Sequence, residues 1–262
     1  MTKVRIRFVK LGKIRWTSHR DVARMWERAF RRVQLPLAYS EGFSPRPKVS
    51  FGLALPTGHE SVAEYLDVEL VAEPQADGEP GPDVRALPGR LSAALPLGVD
   101  ATAAEVIAPG TASLQEEVTS CTWRWAAVPE HGADLPWFGD RCEDELAARV
   151  AAVLDASSVV VTRPRKGVEL TDDIRAGIVN LQLLGPVGPE PSHGMWMQAE
   201  LACWPRTLRP SEVLAALDPG LEERQVRRIH QWILRDGARR EPLVAAHPSG
   251  ATDAPHALGC AS

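Results

Sequence analysis

The chain opens on an alternation. Val4, Ile6 and Phe8 fall on one side of Lys3–Lys10 and Arg5 and Arg7 on the other, the period-two pattern of a half-buried strand. Over His19–Val33 the period changes. At roughly 100° per residue, Val22, Met25, Trp26, Ala29, Phe30 and Val33 gather on one side of a helix. Val49–Leu55 and Ala63–Val71 read as strands, the second with Leu66, Val68 and Leu70 inward. Val84–Leu95 reads as a helix and Thr102–Ala108 as a strand. The order β-α-β-β-α-β predicts a ferredoxin-like unit. Strands around Leu114–Ala127 follow, then a helix at Cys142–Leu154, a hairpin at Val159–Leu170 and a strand at Ile174–Leu183. A strand at Met195–Ala202, a short helix at Pro210–Leu217 and an apolar stretch at Val226–Leu234 complete the pattern. The expected fold class is α+β: a basic ferredoxin-like domain over 1–110, then a second α+β domain over 111–236 whose topology could be related.

Between these elements, Glu73–Asp83 and Leu184–Gly194 are rich in Pro, Gly and acid and read as connections. Residues 237–262 are expected to form a disordered tail, because Glu241–Ser262 lacks apolar periodicity and is rich in Pro, Ala and Gly. A length of 262 residues suits one large or two medium domains. No window approaches the ~18 uninterrupted apolar residues of a membrane helix. Met1–Trp16 lacks the apolar core and cleavage site of a secretory signal, so the expected location is the cytoplasm, with no membrane partner. The cysteines, Cys121, Cys142, Cys203 and Cys260, are scattered singly. That spacing fits neither a zinc ribbon nor an iron–sulfur cluster, and no metal or cofactor is expected.

Charge changes the picture. Residues 1–50 hold thirteen Lys or Arg against three Asp or Glu, a balance of +10, so the other 212 residues carry −14 of the total −4. The split points to a partner with a field of its own, or to two halves that face each other. Arg20, Arg24, Arg28 and Arg31 share one stripe opposite the apolar face of the first helix, interrupted only by Glu27. Like charges at this spacing repel, so the stripe is either balanced by acids elsewhere in the fold or a ridge for phosphate or carboxylate. Ser18 and Asp21 form a capping-box pattern, with His19 between them as a surface residue or an acid–base group. Arg5 and Arg7 are expected to be neutralised by Asp67 and Glu69 across the sheet.

The stretch Leu35–Gly58 is stiffened by Pro45 and Pro47 and carries Tyr39, Ser40, Phe43, Arg46 and Lys48. It could stack a base and hold a phosphate, or clasp the core with its aromatics. At the expected hairpin tip, Arg163, Arg165 and Lys166 place three charges on a turn. The runs Ser18-His19-x-Asp21, Glu27-Arg28-Ala29-x-Arg31-Arg32, Leu35-Pro36-x-Ala38-Tyr39-Ser40-x-Gly42-Phe43-x-Pro45-x-Pro47-Lys48, Leu55-Pro56-x-Gly58, Glu64-Tyr65-Leu66-Asp67 and Leu95-Pro96-x-Gly98 resemble the radical SAM-associated protein family of unknown function. That domain stands alone or follows a cobalamin-binding radical SAM enzyme. The resemblance thins in the second half, where Arg163, Lys166, Gly167, Asp173–Arg175 and Leu208–Leu214 match. Arg20, Ser44 and Arg46 depart from the usual pattern. The resemblance implies a radical SAM enzyme as partner, and the family's gene neighbours tilt the substrate toward RNA, tRNA or rRNA. It supplies no catalytic residues.

Three functions follow. The preferred one is a non-catalytic accessory protein presenting structured RNA through the arginine stripe, the aromatic loop and the hairpin tip. The alternative is a subunit docking on the radical SAM enzyme without RNA contact, which exposed tryptophans among Trp123, Trp125, Trp137, Trp196, Trp204 and Trp232 would favour. The third is an acid–base enzyme using His19, Asp21 and Glu64, which a cleft converging on His19 would favour.

Overall fold

The computed structural model describes residues 1–71, 83–139, 141–165, 167–189 and 194–243. The connections expected at Glu73–Asp83 and Leu184–Gly194 lie partly outside these residues, and the tail past residue 243 wholly so. The first unit is built from β1 (Thr2–Lys10), α1 (His19–Arg32), β2 (Val49–Phe51), β3 (Glu60–Leu70), α2 (Leu87–Ala94) and β4 (Val99–Ile107). The second contains α3 (Leu114–Glu117), β5 (Ser120–Pro129), α4 (Cys142–Asp155), β6 (Val160–Arg165), β7 (Val168–Asp173), β8 (Ile178–Pro186), β9 (Met195–Ala202), α5 (Pro210–Leu217), β10 (Leu221–Arg235) and β11 (Ala238–Arg240).

One topology is used twice. In the first unit the strands lie in the order β4-β1-β3 with β2 on β3, and in the second in the order β10-β5-β9-β8. Both read fourth, first, third, second strand of a β-α-β-β-α-β unit, the second with the β6–β7 hairpin inserted before β8. The units share a sheet because β10 runs parallel to β3, pairing Arg227 with Glu60 and Arg228 with Ser61.

Each unit buries its own helices against one face of that sheet. Val22, Trp26, Ala29 and Phe30 of α1 and Leu87 and Leu91 of α2 pack on Val4, Ile6, Phe8, Leu66 and Val68. Phe8 and Trp26 meet edge to face at 4.9 Å. Phe30 and Leu66 are fully buried, and burial of such side chains stabilises by about 1.5–3 kcal/mol each. In the second unit Leu146 of α4 and Val213 and Leu214 of α5 cover Trp123, Trp125, Met197 and Leu201. The helix expected at His19 starts there, with the Ser18 hydroxyl accepting from the Asp21 N–H at 3.2 Å and donating to its carboxylate at 2.7 Å.

Four expectations are corrected. The strand read over Val49–Leu55 is only three residues long, since β10 occupies the rest of that edge of β3. Leu114 begins a short helix, because the Glu116 carboxylate accepts from both the N–H and the hydroxyl of Ser113. Residues 238–243, assigned to the tail, are packed: β11 pairs with β10, Glu241 accepts from Arg7 at 3.5 Å, and Leu243 is buried. Finally, Arg5 meets Asp67 at 2.8 Å as expected, but Arg7 does not find Glu69. The register puts Tyr65 opposite Arg7 and Lys3 opposite Glu69, so Arg7 donates to the Tyr65 hydroxyl at 3.2 Å and Glu69 pairs with Lys48 at 3.3 Å.

Candidate nucleic-acid interface

The arginine face of α1 is exposed along its length, at Arg20, Arg24, Arg28 and Arg31. Only Arg24 has an acidic partner among the described residues, Asp21 at 3.2 Å. Arg28 donates to the Arg24 carbonyl, a contact that leaves its charge uncompensated. The acids of the second half therefore do not balance this face. Asp21 is held below the usual carboxylate range, first by the Ser18 hydroxyl and then by Arg24 and Arg20. That keeps Asp21 engaged with Ser18, the helix N-cap.

After α1 the chain turns through Leu35 and enters the aromatic loop, which is a stitched hairpin. Ser40 N–H donates to Arg46 O at 2.9 Å and Lys48 N–H to Ala38 O at 2.8 Å, while the Ser40 hydroxyl accepts from Arg46 N–H at 3.0 Å. Its base is tied to the end of β3 by Ala38 N–H to Glu69 O and Glu69 N–H to Lys48 O. The clasp reading fails at the tip: the Phe43 ring is fully exposed and Tyr39 is about half so. Arg46 is exposed without an ionic partner among the described residues, while Lys48 is paired with Glu69. The loop leaves α1 just past Arg31, so that end of the stripe and the loop belong to one end of the first unit.

The β6–β7 hairpin belongs to the second unit. Arg163 is engaged by Asp172 at 3.1 Å and Glu212 at 3.2 Å, in a cluster completed by Arg206. It is thereby turned toward α5. Lys166 and the side chain of Arg165 lie outside the described parts of the chain.

His19 and Glu64 line a common cavity with Phe8, Lys10, Val22, Phe51, Leu53 and Tyr65. Its volume of about 20 Å³ admits one water molecule. Asp21, in the first turn of α1 and bonded to the Ser18 cap, takes no part. Glu64 is committed to Arg228 at 2.9 Å, and the buried Lys10 amine donates to the carbonyls of Arg15 and Thr17. Burial holds the Lys10 pKa below its ordinary value, partly offset by Glu64. Arg228 also donates to Leu53 O and Ala54 O and lies 4.7 Å over the Trp123 ring. Burial opposes its charge, but Glu64 together with the neighbouring Cys121 and Cys203 raises its pKa. Behind it, Cys121 and Cys203 approach to 3.7 Å; sharing its S–H with Cys203, together with burial, holds the Cys121 thiol well above the usual value. Lys10 and Arg228 were missed by the sequence reading. Their signal was there, since Lys10 continues the inward positions Val4, Ile6 and Phe8, and Arg228 follows inward-facing Val226 by two residues.

A family model described as an uncharacterized protein conserved in bacteria (DUF2344) matches residues 3–217. The chain belongs to the DUF2344 family. No curated protein matches this DUF2344 chain. It is similar to a chain in the crystal structure of a Cbf5-Nop10-Gar1 complex, at 9% identity and a TM-score of 0.47, covering 87% of this chain. The DUF2344 chain spans about half (48%) of that one, and a likeness at this level carries no argument about activity. No helix among the described residues is long and apolar enough to cross a membrane, and no group of three or more metal-ligating side chains occurs among them.

Proposed function

We propose that this DUF2344 protein is a non-catalytic accessory protein that binds structured RNA through the arginine face of α1 and the Phe43 loop. By its sequence resemblance, the enzyme it serves is a radical SAM enzyme. One observation carries the RNA reading: Arg20, Arg28 and Arg31 stand exposed without an ion pair among the described residues, on a face whose Arg31 end leads into a stitched loop with its Phe43 ring wholly in water. Guanidinium groups supply bidentate donors to phosphate, and an exposed ring on a rigid loop is a stacking platform for an unpaired base. The single-water cavity at His19 offers no room for a substrate, which disfavours an acid–base enzyme there.

The test is binding to bulk tRNA and rRNA fragments across a salt series. Arg20→Glu, Arg28→Glu and Arg31→Glu together should flatten the slope of log K against log salt by roughly one per lost phosphate contact. Phe43→Ala should leave the melting temperature unchanged and weaken binding to single-stranded regions by about 1–3 kcal/mol. No binding at low salt, or binding untouched by these changes, refutes the proposal.

A further inference from the structure

Trp16 and the twice-used pattern Leu-Pro-x-Gly, at Leu55–Gly58 and Leu95–Gly98, have no part in the RNA reading. The fold brings them together around the 3-10 turn Gly12–Trp16. On one side, Leu11 N–H donates to Gly98 O at 2.8 Å, and on the other Gly58 N–H donates to Arg15 O at 2.8 Å. Both glycines have positive φ, +90° at Gly98 and +89° at Gly58. A side chain on either would collide: a Cβ at Gly98 would lie 2.4 Å from Leu11 O and one at Gly58 would lie 2.8 Å from the Trp16 ring. The two turns therefore grip the 3-10 turn by its backbone from both sides.

The gripped turn and one of the turns that grip it each expose a large apolar side chain to water. Trp16 is 65% exposed and Leu97, next to Gly98, is 99% exposed. Half-buried Ile14 lies against Gly98 and packs on the core of the first unit, beneath the turn. Single exposed apolar residues are common. A tryptophan and a leucine on a locked backbone are different, because little conformational freedom remains to be lost on binding. The surrounding charge is basic. The Glu60 carboxylate is shared by Gly12 N–H, Arg15 at 3.6 Å and Arg227 at 2.5 Å, so it cannot neutralise both guanidinium groups. Lys13 is exposed with no acidic partner among the described residues.

We propose that this turn is a protein-docking site, and that its occupant is an amphipathic helix carrying large apolar side chains flanked by Asp or Glu. Trp16 and Leu97 are the anchors, and Lys13 with the under-neutralised Arg15 selects the acidic flank. An RNA occupant fits less well, because Leu97 offers a base or phosphate nothing and the Arg15 guanidinium is already 5.4 Å from the Trp16 ring. Arg28 and Arg31 lie in the second half of α1, whereas Arg20 follows Trp16 by only four residues, so substitutions at Arg28 and Arg31 are the ones that separate peptide docking from RNA binding.

The probe is a phage-displayed library of helical peptides selected against the full chain, with Trp16→Ser and Leu97→Ser proteins as counter-targets. Leu97→Ser is the safeguard variant, since a side chain wholly in water can be changed without harm to the fold. Peptides are expected that carry acidic residues beside Leu, Phe or Met at helical spacing, lose about tenfold or more in affinity for either variant, and still bind a protein bearing Arg28→Glu and Arg31→Glu. Titration of 15N-labelled protein with such a peptide should shift the Trp16 indole resonance. The proposal is overturned if no peptide discriminates the variants, if the discriminating peptides are basic, or if single-stranded RNA rather than peptide moves that resonance.

Discussion

Glu64→Gln isolates the charge at the junction of the two units. Arg228 is 1% exposed and Glu64 7%, with 2.9 Å between donor and acceptor. At an effective dielectric of about 20, opposite charges at that separation attract by roughly 6 kcal/mol. Glutamine keeps an acceptor oxygen near Arg228, and the carbonyls of Leu53 and Ala54 and the face of Trp123 remain. The guanidinium nevertheless stays buried without its counter-charge, and so does Lys10 nearby. Breaking one side of a buried pair costs about 3–5 kcal/mol, and the retained acceptors place this case near 3. For a chain of this size that corresponds to a fall of about 6–12 °C in melting temperature, read by calorimetry or circular dichroism. The double variant Glu64→Leu with Arg228→Met should be more stable than Glu64→Gln alone, since the buried guanidinium is gone and only Lys10, held by the carbonyls of Arg15 and Thr17, keeps a charge without its partner. A loss below about 1 kcal/mol in the single variant would refute the reasoning. It would mean that the carbonyls and the indole face suffice to hold the guanidinium.

Two further outcomes follow from the same geometry. Gly98→Ala forces a side chain into the Leu11 carbonyl at a backbone φ of +90° and should cost at least about 2 kcal/mol, measured by urea unfolding; at exposed Gly42, with open space around it, alanine should cost less. Burial, with Glu143 adding to it, pushes the Cys142 thiol up to about 11 from the ordinary 9.0. The native state thus keeps a proton that the unfolded chain releases, so stability falls as pH rises from about 9 towards 11. Comparing urea midpoints of wild type and Cys142→Ala between pH 8 and 10.5 should show the wild type losing ground as pH rises, and a constant difference would contradict the shift.

How far the sequence reached differs between elements. The strands with one inward face, such as Lys3–Lys10 and Met195–Ala202, and the helices at His19 and Pro210 were legible because a single local period decides which side is buried. The Ser18–Asp21 cap was legible for the same reason, being made within four residues. The charge asymmetry and the arginine stripe were also there to be read. Whether that stripe was neutralised was not, because the answer depends on which distant acids the fold brings near.

Register decided what composition could not. Arg5 and Arg7 look equivalent along the strand, yet one faces Asp67 and the other Tyr65, because β3 pairs with β1 at one offset and no other. Likewise nothing local marks β10 as the strand that enters beside β3, shortens β2 and carries Arg228 to Glu64. The two Leu-Pro-x-Gly turns are some forty residues apart, and only the assembled fold sets them on either side of the Gly12–Trp16 turn. The chain's own pattern thus determined its elements, its class and its exposed chemistry, since these rest on periods and charges within one turn or one strand. Pairing, compensation of charge and the meeting of remote loops were left to tertiary structure, because each is a contact between segments whose separation along the chain carries no information about their distance in space.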